Sequence, residues 1–240
     1  VVQVQNAEYR RCMRINRVAY AAIHSLQYCE YKQSLDKSRP MSWSKVLAIQ
    51  AMLRTHSYVA AIDADCIIRN PLVSIAAIFA LYPSADNIHT PDYGNKRLNG
   101  GVIFVRNSSY SVRYWNRIYH QPRETIFSAI WEQKAIIDHM ISRPAEFSEH
   151  SKIVRQENLN FVAGWKDLAN GKSVAPGEAR KTPDFVFIQH AAGGTRGARA
   201  TQKYNMLAKE SCDNSGFDVW HTVEPEVPEQ ARAQAKTIQN

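Results

Sequence analysis

The chain has 240 residues, 45% of them hydrophobic, and a formal net charge of +8. That is enough apolar material for one large domain with a sizeable core; no apolar run approaches the ~20 residues that cross a membrane, and no signal peptide is visible. The basic balance favours an anionic partner such as a nucleotide diphosphate, nucleic acid or acidic surface. Its basic residues are scattered, without an arginine-rich tail or aromatic-interleaved stripe, which argues against nucleic acid.

In chain order, V-V-Q-V-Q at 1–5 reads as the end of a strand, and residues 9–26 carry a helical pattern. In that pattern Ile15, Val18, Ala19, Ala22, Ile23 and Leu26 share one face. Residues 28–31 read as a short strand and 33–40 as a polar loop. The stretch 42–54 predicts a strong helix with Ser42 as its cap, leading into an apolar strand at 58–62. Asn70-Pro71 reads as a cap with proline at the first helical position, opening a helix through Leu81. A brief strand at 87–90, a polar loop at 93–97 and a loop running into a buried strand at 98–106 follow. Helices are predicted at 109–120 and 125–141, a strand at 152–155, loop over most of 161–177, and a last strand at 184–189. A helix at 200–209 precedes a polar tail. Strands alternating with helices imply an α/β fold, a Rossmann-like, mainly parallel sheet flanked by helices. The expected division is one domain over 1–210 and a C-terminal polar tail over 211–240.

The strand at 58–62 ends abruptly in Asp63 and Asp65. Ligands of open α/β sheets sit outside the carboxyl ends of the strands. Extended residues two apart point the same way, so both carboxylates could face one divalent cation, with a diphosphate as its usual companion. An acidic strand end that serves only as a turn or cap is the plainer alternative.

Other stretches carry the same double reading. Trp43 fits core; Lys45 fits either the surface or a phosphate or sugar contact. Asn99, Gly100 and Gly101 form either an ordinary turn or a backbone that a ligand can approach closely. Glu132 and Gln133 lie in an otherwise apolar helix, where an acid is solvated or meets a sugar's anomeric carbon. His190 ends the last strand, followed by Gly193, Gly194, Arg196, Arg199 and Lys203. A neutral imidazole beside two aspartates completes a mixed N/O site suited to Mn²⁺, and glycines with cations favour an anion. Cys12, Cys29, Cys66 and Cys212 follow no zinc spacing, and Asn107-Ser108-Ser109 is a glycosylation sequon.

Taken in order, these residues resemble GT-A-fold retaining glycosyltransferases, in particular family 34 of galactosyl-, xylosyl- and mannosyltransferase type. The resemblance covers roughly 1–203. It rests on Asn16 and Tyr20, W-S-K at 43–45, I-D-A-D at 62–65, N-P at 70–71, L-N-G-G at 98–101, R-N-S at 106–108 with Trp115, E-Q at 132–133 and I-Q-H-A-A-G at 188–193. It implies Mn²⁺, with Mg²⁺ as a substitute, held by Asp63, Asp65 and His190. It implies that Val4, Gln5 and Asn6 contact the base of a nucleotide-sugar donor, UDP by preference. Asn99 and Gly100 would line the sugar pocket, with Glu132 and Gln133 near the anomeric centre as the catalytic pair. Lys45, Asp63, Gly193, Arg196 and Lys203 would complete donor binding. The acceptor implied is a carbohydrate or glycoprotein.

This chain departs from the family in carrying Glu132 where aspartate is usual, in a shortened central insertion and in a histidine loop rich in small and basic residues. Both a Golgi enzyme with a membrane anchor outside this chain and a cytoplasmic viral or microbial relative fit. The runner-up is a glycogenin-like family 8 transferase, which usually carries H-x-x-G-x-x-K-P-W where this chain reads H-A-A-G-G-T-R. A nucleotidyltransferase would want a glycine-rich loop after the first strand, which Gln3 to Arg11 lacks, and a binding module without turnover is the non-enzyme alternative.

Overall fold

The computed structural model describes residues 7–92, 98–155, 159–162 and 187–190. The chain divides into two compact units, Tyr31–Ala192 with Val1, and Val2–Glu30 with Gly193–Asn240. The predicted elements at 1–5, 93–97, 200–209 and 223–240, and the tail at 211–240, lie outside the described residues.

In the second unit, α1 runs Ala7–Ile23. Leu26 N–H donates to Ala21 O at 2.7 Å, Ser25 N–H to Ala22 O, and Ser25 has φ of 51°. This paired ending with a left-handed residue stops the helix before Leu26. The buried face is therefore Cys12, Met13, Asn16, Tyr20 and Ala21, while Ile23 and Leu26 are exposed. That face is rotated from the expected stripe.

The first unit contains α2 (Ser44–Met52), entered through a 3₁₀ turn at Met41–Trp43. Ser42 lies inside that turn and caps nothing, because Pro40 takes the capping position. The strands are β1 (Tyr58–Ile62), β2 (Cys66–Ile68), β3 (Asn87–Pro91), β4 (Leu98–Arg106), β5 (Ser151–Ile153), β6 (Asn160–Val162) and β7 (Ile188–His190). The further helices are α3 (Ile75–Leu81), α4 (Ser109–Tyr119), α5 (Arg123–Ile126), α6 (Trp131–Ser142) and α7 (Pro144–His150).

One sheet has the order β1-β4-β3-β5, the other β2-β7-β6. In the first, β4 is antiparallel to both β1 and β3, while β3 and β5 are parallel. So β1, β3 and β5 run one way and β4 is the reversed strand among them. The connection from Pro91 to Leu98 is too short for a crossover, which forces the reversal. β2 and β7 pair antiparallel, β6 and β7 parallel.

Both faces of β4 are covered, which is why V-I-F-V at 102–105 reads as an unbroken apolar run. Ile103 and Val105 join a core with Val46 and Ile49 of α2, Tyr114, Trp115 and Ile118 of α4, and Ile136 of α6. On the other face Phe104 stacks with Phe187, ring centroids 6.1 Å apart. This is a mixed α/β fold with a central sheet flanked by helices.

Local chemistry corrects several expectations. Asn70-Pro71 does not open a helix: the Asn70 side chain accepts from Leu72 N–H at 3.1 Å, an Asx turn, and Ser74 caps α3 by accepting from Ala77 N–H. Residues 28–31 form no strand. The stretch 125–141 is broken at 127–130, and α7 and β2 were not expected. Asn107, the sequon residue, gives its amide protons to Leu53 O at 2.6 Å and His56 O at 3.1 Å, while Ser108 caps α4.

His89 of β3 is fully buried, and neither ring nitrogen has a hydrogen-bond partner among the described residues. Its ring stacks on Phe147 at 5.6 Å. Burial first, then His139 nearby, pushes the imidazole down to about 3. The unfolded chain takes up this proton near pH 6.5 and the folded chain only near pH 3, so stability falls as pH drops through that window. Urea titrations from pH 7 to pH 4 should show a decline of up to about 1.4 kcal/mol per pH unit from this group. His89→Phe should shallow the decline; an unchanged slope in the variant would refute the assignment.

Candidate active site

At the carboxyl end of β1 the backbone does not continue extended. Asp63 N–H donates to Gly101 O at 2.7 Å, and Cys66 N–H returns to Asp63 O at 3.2 Å, closing a turn. Residues 63 and 65 therefore do not share a strand face, and the two carboxylates find different partners. Asp63 Oδ1 lies 2.6 Å from Lys45 Nζ, and Asp65 Oδ1 lies 3.3 Å from His190 Nε2.

Lys45, in the first turn of α2, is the hub. Its ammonium also meets Glu132 Oε1 at 3.0 Å and donates to Gly100 O. Three donors thus have three protein acceptors. Burial works to lower the lysine, but Asp63 and Glu132 outweigh it and hold the group charged well above its ordinary value. Glu132 is 4% exposed. Burial raises its carboxyl despite the lysine beside it. Its second oxygen, Oε2, is buried without a hydrogen-bond partner among the described residues.

The tip of β4 is tied to the start of α6. Gly100 N–H donates to Gln133 Oε1 at 3.0 Å, and Gly101 N–H to Asn99 Oδ1 at 2.8 Å. The register of β3 against β4 shifts here, so the glycine pair sits at an irregularity of the ladder. Asp92, just past β3, accepts from Gln133 Nε2 at 3.3 Å and Asn99 Nδ2 at 3.4 Å. Sequence reasoning missed Asp92, although an acid directly after a strand was the signal that had picked out Asp63.

The second cluster is Asp65, Cys66 and His190, whose ligand atoms lie within 4.8 Å of one another. Burial alone would push the Asp65 carboxyl up, but the His190 imidazole outweighs it and holds the group at about 2. Burial pulls His190 down, yet Cys66 and Asp65 hold it well above its ordinary value. Burial pushes the Cys66 thiol up, which disfavours a thiolate ligand. Nδ1 of His190 is buried and has no hydrogen-bond partner among the described residues. A carboxylate and an imidazole with an unused nitrogen form a mixed O/N donor set for a divalent cation, which would displace the shared proton. Gly101 makes room for this ring: a Cβ there would stand 2.0 Å from His190 Cε1.

Of the sequence-derived candidates, Lys45, Asp63, Asn99, Gly100, Glu132 and Gln133 thus fall in one contiguous network. Asp65 and His190 form a pair one turn away. Val4, Gln5, Asn6, Gly193, Arg196 and Lys203 lie outside the described residues.

The family described as nucleotide-diphospho-sugar transferase matches residues 2–163. Among solved structures, the chain is similar to the crystal structure of a glycosyltransferase involved in the glycosylation of the major capsid of PBCV-1, with a TM-score of 0.61 and 15% identity. That match covers 86% of this chain and 95% of the other. No curated protein matches the chain.

Removing one partner of a buried ion pair strands the other, at a cost of about 3–5 kcal/mol. Lys45→Met should therefore lower the Tm by roughly 10 °C. Lys45→Met with Glu132→Leu should recover much of the loss; a double variant no better than the single would show that the buried charge is not its source. Gly101→Ala must displace the His190 ring and open its contact to Asp65, so it should lower the Tm; a melting curve like that of wild type would show that the ring can move aside freely.

Proposed function

The chain belongs to the nucleotide-diphospho-sugar transferase family, and from that premise we propose that it moves a sugar from a UDP-sugar to a glycan hydroxyl with retention at the anomeric carbon, in a metal-dependent reaction. The observation that carries this reading is the convergence of Asp63, Lys45, Glu132 and the β4 tip at the carboxyl end of β1, with the Asp65–His190 pair one turn away.

Asp65 and His190 are the residues that would hold the cation. When bound, it would offset negative charge on the departing diphosphate. Lys45 orients the Asp63 and Glu132 carboxylates and offsets their negative charge. The Asn99–Gly100 backbone leaves space for the donor sugar, with Gln133 and Asp92 presenting amide and carboxylate groups to its hydroxyls. Oε2 of Glu132, which has no donor among the described residues, stabilises positive charge developing at the anomeric carbon. The bond from that carbon to the β-phosphate oxygen breaks, and the bond to the acceptor oxygen forms on the same face. The acceptor's proton passes to the leaving phosphate oxygen. This route needs no strong base, and the one buried acid in the network is already engaged by Lys45, which favours retention over inversion.

Thermal denaturation with a panel of nucleoside diphosphates, each with and without Mn²⁺, tests the reading. A ligand at a hundred times its Kd adds about 2.7 kcal/mol, here a rise of roughly 5–10 °C. UDP should give the largest shift, and only with the cation. Asp65→Asn removes the charge that faces the buried His190, so it should melt below wild type without ligand yet remain folded, lose the Mn²⁺-dependent part and lose transfer; transfer retained by this folded variant would rule out the metal assignment.

A further inference from the structure

The break between α5 and α6 places Trp131 at φ of 46°, the left-handed region. Only small or polar residues enter that region readily, and a bulky side chain held there is strained. Such strain persists where surrounding structure imposes it, and it concentrates at sites of function. Trp131 opens α6 immediately before Glu132. The two neighbours in sequence differ in environment: Glu132 is 4% exposed and Trp131 38% exposed. Phe127, at the end of α5, is 55% exposed. No Gly or Pro lies between 123 and 142 to account for the break.

We propose that Trp131 is the stacking platform for the sugar of the acceptor, on the solvent side of Glu132; this rests on the glycosyl-transfer reading above. A pyranose has an apolar C–H face and a polar rim. The face of an indole carries negative potential that attracts C–H groups, and its large rigid surface orders at low entropic cost. The rim of the same sugar would need acceptors, and two stand close in the network. Among the described residues Oε2 of Glu132 has no hydrogen-bond partner, and Asp92 accepts the long contacts of 3.3 and 3.4 Å. The donor sugar takes the buried Asn99–Gly100 side, so the exposed ring one residue from Glu132 meets the molecule that arrives second, from solvent. The left-handed conformation turns Trp131 outward while Glu132 turns in to Lys45.

The full chain is applied to a printed array of oligosaccharides with UDP and Mn²⁺, and melting curves are recorded with and without the same nucleotide. Wild type should retain a defined subset of glycans, and Trp131→Phe should retain the same subset. Trp131→Gly should lose at least about tenfold in apparent affinity for it. Glycine accepts a positive φ without strain, so this variant should keep or raise the Tm and keep the UDP-dependent shift. That separates a ring that binds sugar from one that holds the fold. Equal glycan affinity in Trp131→Gly overturns the proposal. So does loss of glycans accompanied by a fallen Tm and a lost UDP shift, which would make the ring structural. A wild type that shows the UDP shift but captures no glycan overturns the platform and leaves the donor reading standing. A wild type with neither overturns the reading on which the platform rests, and the platform with it.

Discussion

A buried lysine surrounded by oxygen organises this molecule. Lys45 carries one positive charge and three protons, and those protons go to Asp63, Glu132 and the carbonyl of Gly100. Each acceptor belongs to a different element: the turn after β1, the first turn of α6 and the tip of β4. Two carboxylates brought to one point repel each other. With the ammonium between them that repulsion is offset, and the three elements are pinned at a common point. Desolvating such a cluster is costly, and cores without one are often more stable. Its retention here is better explained by chemistry than by stability.

Around that point the backbone takes over. Gly100 and Gly101 hand their N–H groups to Gln133 and Asn99, so the tip of β4 is held by side chains rather than by strand neighbours. The absence of a Cβ at Gly101 matters for a separate reason, since the His190 ring occupies that space. One glycine thus couples the two clusters: its carbonyl fixes Asp63 through the backbone, and its missing side chain admits His190, which in turn faces Asp65. Asp92 closes the far side by holding Gln133 and Asn99 together.

Much of this was legible in the chain. Acidic residues directly after a short β-branched strand, a glycine pair before an apolar run, and a histidine at a strand end were singled out, and the structure brings them close to one another. The sheet core was equally plain, because V-I-F-V can only be a strand covered on both faces. The particular pairings were not legible. Asp63 and Asp65 were expected to act together on the logic of an extended strand; a turn separates them, and turns depend on what the next segment must reach. Asn70-Pro71 has the composition of a helix start and is an Asx turn, because Ser74 offers the same capping chemistry closer to the apolar face of α3.

What the sequence determined by itself was the class of fold and the set of groups available for chemistry: alternating apolar periods specify strands and helices, and acids, glycines and a histidine placed at their ends can only meet where strands end. What tertiary structure alone decided is which of them meet. Residues 125–141 read as one continuous helix because nothing local interrupts their period, yet the chain breaks there and holds Trp131 in a strained conformation. The break brings the Glu132 carboxylate to a lysine 87 positions earlier in the chain. Local propensity weighs a few tenths of a kcal/mol per residue, and a buried charge left without its partner weighs several times that. The long-range pair therefore prevails over the local pattern.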